Sequence, residues 1–236
     1  MTDDSHPVPD KIEKRVILPR TQQILLVVFL IIYPLFQWLM NYISPPDAAQ
    51  IESRILQLYL PSLVLQILIL ASIMLALIKD GEHISSLGLK PGDISLLNFA
   101  IGIAFLAVAV IILNVLSRAL AYLGMITTAD ISYILPKTIF ERIFWILLAV
   151  SAGISEEICF RGYVITRMAR LTGSVWPGVI LGSLAFGASH SYQGLGGVII
   201  IGVYGMMFSL LFLGRGSLVP CIIAHALQDI VASFGM

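Results

Sequence analysis

Long apolar runs, broken by short polar segments, organise this chain from residue 22 onward. Seven of them, at 22–43, 57–78, 96–124, 140–168, 175–191, 195–214 and 217–235, approach the roughly 20 apolar residues that carry a helix across a bilayer. They predict an all-α fold, a polytopic transmembrane helical bundle of about seven spans. Pro34 and Pro61 are placed to kink the first two helices. Pro177 and Pro220 fall near the starts of the fifth and seventh, where a missing N–H costs least. The fourth run is the odd one. Its apolar part, Ile143 to Ile154, is too short to span, and it reaches full length only by continuing through Glu156, Glu157 and Arg161. The fifth is short and rich in small residues (Gly178, Gly182, Ser183, Gly187, Ala188), which lets helices pack closely in lipid.

Composition agrees with the pattern. Of 236 residues 58% are hydrophobic and 12% charged, with mean hydropathy +0.95. A soluble domain carries about 25% charged residues, so the chain reads as one membrane domain, 21–236, behind a polar tail at 1–20. A net charge of zero argues against a nucleic-acid partner. Cys159 and Cys221 both lie in apolar runs and form no disulfide framework. The first apolar run reads as a retained anchor. If the N-terminus is cytoplasmic, that side collects Lys11, Lys14, Arg15, Arg20, Lys79, Lys90, Arg167, Arg170 and Arg215, against Arg54, Arg118, Lys137 and Arg142 opposite. The bias predicts a multi-pass cell-membrane protein with its N-terminus inside and, with seven spans, its C-terminus outside. Residues 79–95 form a polar loop with turns at Asp80-Gly81 and Pro91-Gly92. Residues 44–56, opening on Pro45-Pro46, read as a connection on the membrane surface. His6 in the tail and His83 in the loop read as solvent-exposed.

The polar residues inside the apolar runs then become the informative ones. A charge at the centre of a membrane helix costs roughly 2.5–3.5 kcal/mol on insertion scales, so such residues mark candidate sites. The fourth helix carries Glu156-Glu157-Ile158-Cys159-Phe160-Arg161. Glu157 and Arg161 are four apart and share a face, while Glu156 points about 100° away. On the fifth, Phe186 and His190 are four apart; on the seventh, His225 and Asp229 are. Counting about 1.5 Å per residue places Glu156, His190 and His225 at similar depths. Glu157 with Arg161 could by itself be a structural ion pair, but packing does not require four further ionisable groups.

A carboxylate and an imidazole can hold and deprotonate a water. A second imidazole with a polar partner can donate to the oxyanion of a tetrahedral intermediate. A carboxylate with two histidines can also bind zinc and leave a position for water. Each route hydrolyses an amide in or beside the membrane. A His-Glu-x-x-His helix and a Gly-x-Gly-Asp motif are absent from the sequence, and His190 stands where a rhomboid-type serine would be followed by glycine.

The ordered set Glu-Glu-x-x-x-Arg, Phe-x-x-x-His and His-x-x-x-Asp resembles the CPBP family, the CAAX protease and bacteriocin-processing group, also called ABI or type II CAAX prenyl endopeptidases. The resemblance covers about 139–233, and Leu87-Gly88-Leu89 is also similar to such proteins. It implies an intramembrane endopeptidase acting on a membrane protein or peptide, with its cavity formed by the later helices. It implies Glu156 as the water-activating base, His190 as its helper, and His225 with Asp229 as the oxyanion site. Glu157 and Arg161 would brace the helices, and Phe186 would line the cavity. The family is commonly labelled metalloprotease. Either one divalent metal, zinc first, held by Glu156, His190, His225 and Asp229, or a metal-free glutamate mechanism is compatible with these residues. Asp229 departs from the asparagine of many members. An ionised carboxylate cannot donate to an oxyanion, so Asp229 would be protonated, orient His225 or ligate a metal, with orientation of His225 favoured. Two readings from other classes stand beside the protease: a catalytically silent adaptor or immunity protein on the same scaffold, and an ion-coupled transporter. The second is weakened by the absence of an evident inverted repeat.

Overall fold

A computed structural model describes residues 17–43, 48–125 and 131–234. The tail up to residue 16, Pro45-Pro46 and the last two residues lie outside the described residues, so the readings placed on them have no structural counterpart. Seven long helices and no strand occur among the described residues: α1 (Arg20–Ile43), α2 (Ile55–Lys79), α3 (Leu96–Tyr122), α4 (Ile139–Thr172), α5 (Trp176–Ala188), α6 (Gly194–Arg215) and α7 (Val219–Ala232). Five of them, α1 to α4 and α6, are long and apolar enough to cross a membrane. The fold is the expected polytopic helical bundle, but two of its seven apolar runs are shorter than spans. α5 has 13 residues and α7 has 14, or about 20 Å of helix at 1.5 Å per residue, against a hydrocarbon core of roughly 30 Å. Both stop close to their polar residues: α5 ends two residues before His190, and α7 three residues after Asp229.

Local sequence sets the helix ends. A capping box opens α4: Thr138 Oγ1 accepts from the Glu141 N–H, and Glu141 Oε2 accepts from the Thr138 N–H, both at 3.1 Å. Proline occupies the first turn of α5 and of α7. The kinks expected at Pro34 and Pro61 take a definite form. Each proline is preceded by a wide π-helical turn, Val28–Ile32 and Ile55–Tyr59 respectively. Proline lacks an N–H and its ring crowds the carbonyl four residues back, here Leu30 and Gln57; both lie inside the wider turns that relieve the clash. A third π-helical stretch, Glu157–Ile165, lies in α4 without a proline. The helix does continue through Glu156, Glu157 and Arg161, as its length demanded.

Small residues bring the later helices together. A Cβ on Gly178 would stand 2.7 Å from Ile165 Cα, and one on Gly187 would stand 2.5 Å from the Val198 carbonyl oxygen. Such distances are shorter than packed atoms tolerate, so α5 is pressed against α4 on one side and α6 on the other. Leu87-Gly88-Leu89 is a wedge between helices. Leu87 is fully buried, Gly88 takes φ +88°, and its carbonyl accepts from the Leu218 N–H at 2.8 Å at the start of α7. That φ lies in the left-handed region, which glycine enters without a Cβ penalty.

A polar knot ties three helix ends on one side of the bundle. Glu82 receives Arg167 and Arg170 at 2.7 Å each and Gln22 Nε2 at 3.1 Å. Gln22 also donates to Asp80 at 2.8 Å, and both Gln22 and Arg167 are buried. His83 beside it is exposed, as expected. Burial alone would push the Glu82 carboxyl up, but the hydrogen bonds from Arg170 and Gln22 and the charge of Arg167 outweigh it and hold it below the usual range. A carboxyl lowered in the folded state contributes stability that is complete at neutral pH and is lost as the pH falls through its folded value. Stability in detergent should therefore fall on acidification below the usual carboxylate range. Glu82→Gln should cost about 2 kcal/mol at neutral pH, under the ~3–5 expected for a fully buried pair, and should make the melting curve less acid-sensitive. An unchanged acid profile would contradict this role.

Candidate active site

Near its middle, α4 changes from α- to π-helical winding, and the change falls between the two glutamates. Glu156 ends the α-helical part and Glu157 opens the wider one. Glu157 turns inward. Its Oε1 accepts from Arg161 Nη1 at 2.8 Å and from His225 Nδ1 at 2.8 Å, and the side chain is completely buried. Arg161 is 1% exposed and donates also to the Gly205 carbonyl at 3.3 Å. Its guanidinium lies between two rings, 4.4 Å from the centroid of Phe186 and 4.9 Å from that of Phe208. The flat, weakly hydrated guanidinium suits such a slot as an ammonium would not. Gly205 makes room: a Cβ there would stand 3.1 Å from Phe186 and 3.4 Å from Arg161.

Glu156 faces the other way. Its side chain is 17% exposed, and Oε2 lies 3.9 Å from His225 Nε2. Asp229 Oδ2 lies 3.7 Å from the same nitrogen, with 32% of the side chain exposed. Neither separation is a hydrogen bond. His225 therefore divides two environments. Its Nδ1 is held by a carboxylate that can only accept, so Nδ1 carries a proton. Its Nε2 is turned towards Glu156 and Asp229.

His190 follows the end of α5. Its Nδ1 lies 2.8 Å from the Phe186 carbonyl, which also accepts from Ser189 Oγ at 2.8 Å. A carbonyl cannot donate, so Nδ1 is the protonated nitrogen, and in the neutral ring Nε2 bears the lone pair. Phe186 packs edge-on with both imidazoles, at 4.9 Å from His190 and 6.0 Å from His225. No hydrogen bond or ion pair joins His190 to Glu156; the ring of Phe186 lies against both His190 and His225.

All seven candidate residues thus belong to one neighbourhood. Glu156, Glu157, Arg161, His225 and Asp229 are linked by direct approaches, and Phe186 and His190 join them through ring packing. The geometry shifts one emphasis. Glu157, rather than Asp229, makes the hydrogen bond that orients His225. Four further contributors were not singled out from the sequence. Phe208 stacks on His225 at 5.6 Å, the Gly205 carbonyl receives Arg161, Trp145 Nε1 donates to the Asp229 carbonyl at 2.8 Å, and Tyr204 packs on Phe208 at 4.2 Å. Apart from Trp145 they lie on α6, which has no charged residue before Arg215. Only the i, i+4 aromatic pair Tyr204 and Phe208 could have drawn attention to it. Glu156, His190, His225 and Asp229 include donors that zinc accepts, yet no three His, Cys, Asp or Glu among the described residues gather closely enough to hold a metal ion.

Residues 138–231 match the family model described as Type II CAAX prenyl endopeptidase Rce1-like. The match covers all three motif-bearing helices and agrees with the resemblance their motifs carry. That family is one of proteases. No curated protein and no solved structure matches the chain.

The two glutamates should separate in their effects. Glu157→Gln leaves Arg161 buried beside a neutral partner and weakens the hold on His225, and should cost roughly 3–5 kcal/mol of stability. Glu156→Gln removes no hydrogen bond and should leave the melting temperature near that of wild type. Thermal unfolding in detergent checks both; equal losses in the two variants would contradict the assignment.

Proposed function

We propose that the chain is an intramembrane endopeptidase that hydrolyses a peptide bond in a membrane-anchored protein or peptide. The observation that carries this reading is the pairing of a held imidazole with a free carboxylate. His225 is fixed through Nδ1, while Glu156 stands across from Nε2 with an oxygen that has no hydrogen-bond partner among the described residues. Glu156 removes a proton from water, and the water oxygen bonds to the scissile carbonyl carbon. The negative charge that develops on the carbonyl oxygen is met by His225, which in its doubly protonated form donates through Nε2 while Glu157 balances its charge. The intermediate collapses with cleavage of the C–N bond, and the proton held by Glu156 passes to the leaving amine. His190 orients the water through Nε2. Arg161, clamped by Phe186 and Phe208, holds Glu157 in place. Each of these steps is carried by side chains alone.

The two short helices support the same reading. A peptide must lose its helical hydrogen bonds before its carbonyl can be attacked, and backbone of that kind is tolerated at membrane depth only where it is buried in protein or lines a wet cavity. The ends of α5 and α7, beside His190 and Asp229, would offer such a place. The substrate is assigned only as a membrane-anchored polypeptide, and the N-terminus of the enzyme is placed in the cytoplasm on the loop-charge bias.

The test uses the full chain in liposomes with a library of internally quenched peptides carrying an apolar anchor. Wild type should cleave members of the library, and Glu156→Gln should lower turnover by roughly 10²–10⁴-fold. Stripping divalent metals with a chelator should leave the rate unchanged. Wild-type turnover in Glu156→Gln would refute the assigned base. Loss on chelation with recovery on zinc addition would replace the metal-free route.

A further inference from the structure

Resting on the protease reading above, we infer that Tyr204 supplies the second hydrogen-bond donor of the oxyanion site, in place of the side chain at Asp229. Tyr204 is 4% exposed, and its hydroxyl has no hydrogen-bond partner among the described residues. A buried hydroxyl without a partner costs free energy and calls for an explanation. Nothing in the packing of α6 supplies one. The ring is held against Phe208 at 4.2 Å and against Phe105 at 6.2 Å, contacts that a phenylalanine would make equally well.

Its position gives the hydroxyl a use. α6 and α7 are joined by the short turn at 216–218 and run antiparallel. Phe208 on α6 stacks on His225 of α7 at 5.6 Å. One helical turn back along α6 is Tyr204, and one turn onward along α7 is Asp229. Tyr204 is therefore level with Asp229 as Phe208 is level with His225. The neighbouring residue, Gly205, already forms the wall against which Arg161 and Phe186 rest.

Chemistry completes the argument. An oxyanion needs donors, and an ionised Asp229 has none to give. A tyrosine O–H donates at neutral pH without surrendering its proton. It strengthens one hydrogen bond as the carbonyl oxygen becomes negative and relaxes when the C–N bond breaks, so the proton count of the reaction is unchanged. Asp229 then faces the water side of the site, consistent with its 32% exposure, and Tyr204 with His225 faces the carbonyl oxygen.

The experiment compares wild type, Glu156→Gln, Tyr204→Phe, Asp229→Asn and the Tyr204→Phe/Asp229→Asn double variant in the liposome assay with the anchored, quenched peptide library. Tyr204→Phe should lower kcat by roughly 10²-fold with KM little changed, and its melting temperature should be equal to or above that of wild type. Adding Asp229→Asn to Tyr204→Phe should recover part of the lost kcat, because the amide restores a donor. A Tyr204→Phe enzyme as fast as wild type overturns the inference while Glu156-dependent cleavage still stands. A clear fall in melting temperature also overturns it, since the hydroxyl would then have a structural partner. Absence of any Glu156-dependent cleavage removes the protease reading and this inference with it.

Discussion

One carboxylate oxygen, Oε1 of Glu157, accepts two hydrogen bonds of 2.8 Å, from Arg161 on its own helix and from His225 on α7. In a low-dielectric interior such a junction is strong when complete and costly when broken. Much of the second half of the bundle is arranged to keep it complete. Gly205 lets Arg161 approach, Phe186 and Phe208 sandwich the guanidinium, and the same two rings pack on His225. Position is thereby conferred on the imidazole that faces Glu156. The costly carboxylate and the useful one are adjacent in sequence and opposed in space, and the change of winding at Glu157 falls between them.

The second dependency is helix length. α5 and α7 are short: α5 ends two residues before His190, and α7 ends three residues after Asp229. A site built where helices end gains free backbone groups and room, at the expense of regular packing. α4 passes the same region as a continuous 34-residue helix and holds the frame. Glycines at 178 and 187 allow α5 to sit against α4 and α6 despite its shortness.

Most of the bundle could be read from hydrophobic runs alone, because lipid forces each backbone polar group into a helix. The polar residues of α4, α5 and α7 stood out for the same reason: their cost in hydrocarbon demands a purpose. Less legible was whatever carries no charge. Phe208 and Gly205 look like any other residues of an apolar helix, yet they form the slot for Arg161. Winding was hidden too. Pro34 and Pro61 announced two distortions, but nothing local to Glu157–Ile165 announced the third. Periodicity of four made Asp229 the natural partner of His225, and only the fold could reveal that Glu157, from another helix, takes that place.

The central claim is that Glu157 fixes the ring of His225 through Nδ1 and leaves Nε2 for chemistry. The chain has four histidines, so the His225 signals can be assigned by ¹⁵N-histidine labelling and comparison with a His225→Gln sample in bilayers. The account predicts a protonated Nδ1 in strong hydrogen bonding to a carboxylate, an interaction that disappears in Glu157→Gln. An unprotonated Nδ1 in the wild-type protein would contradict it.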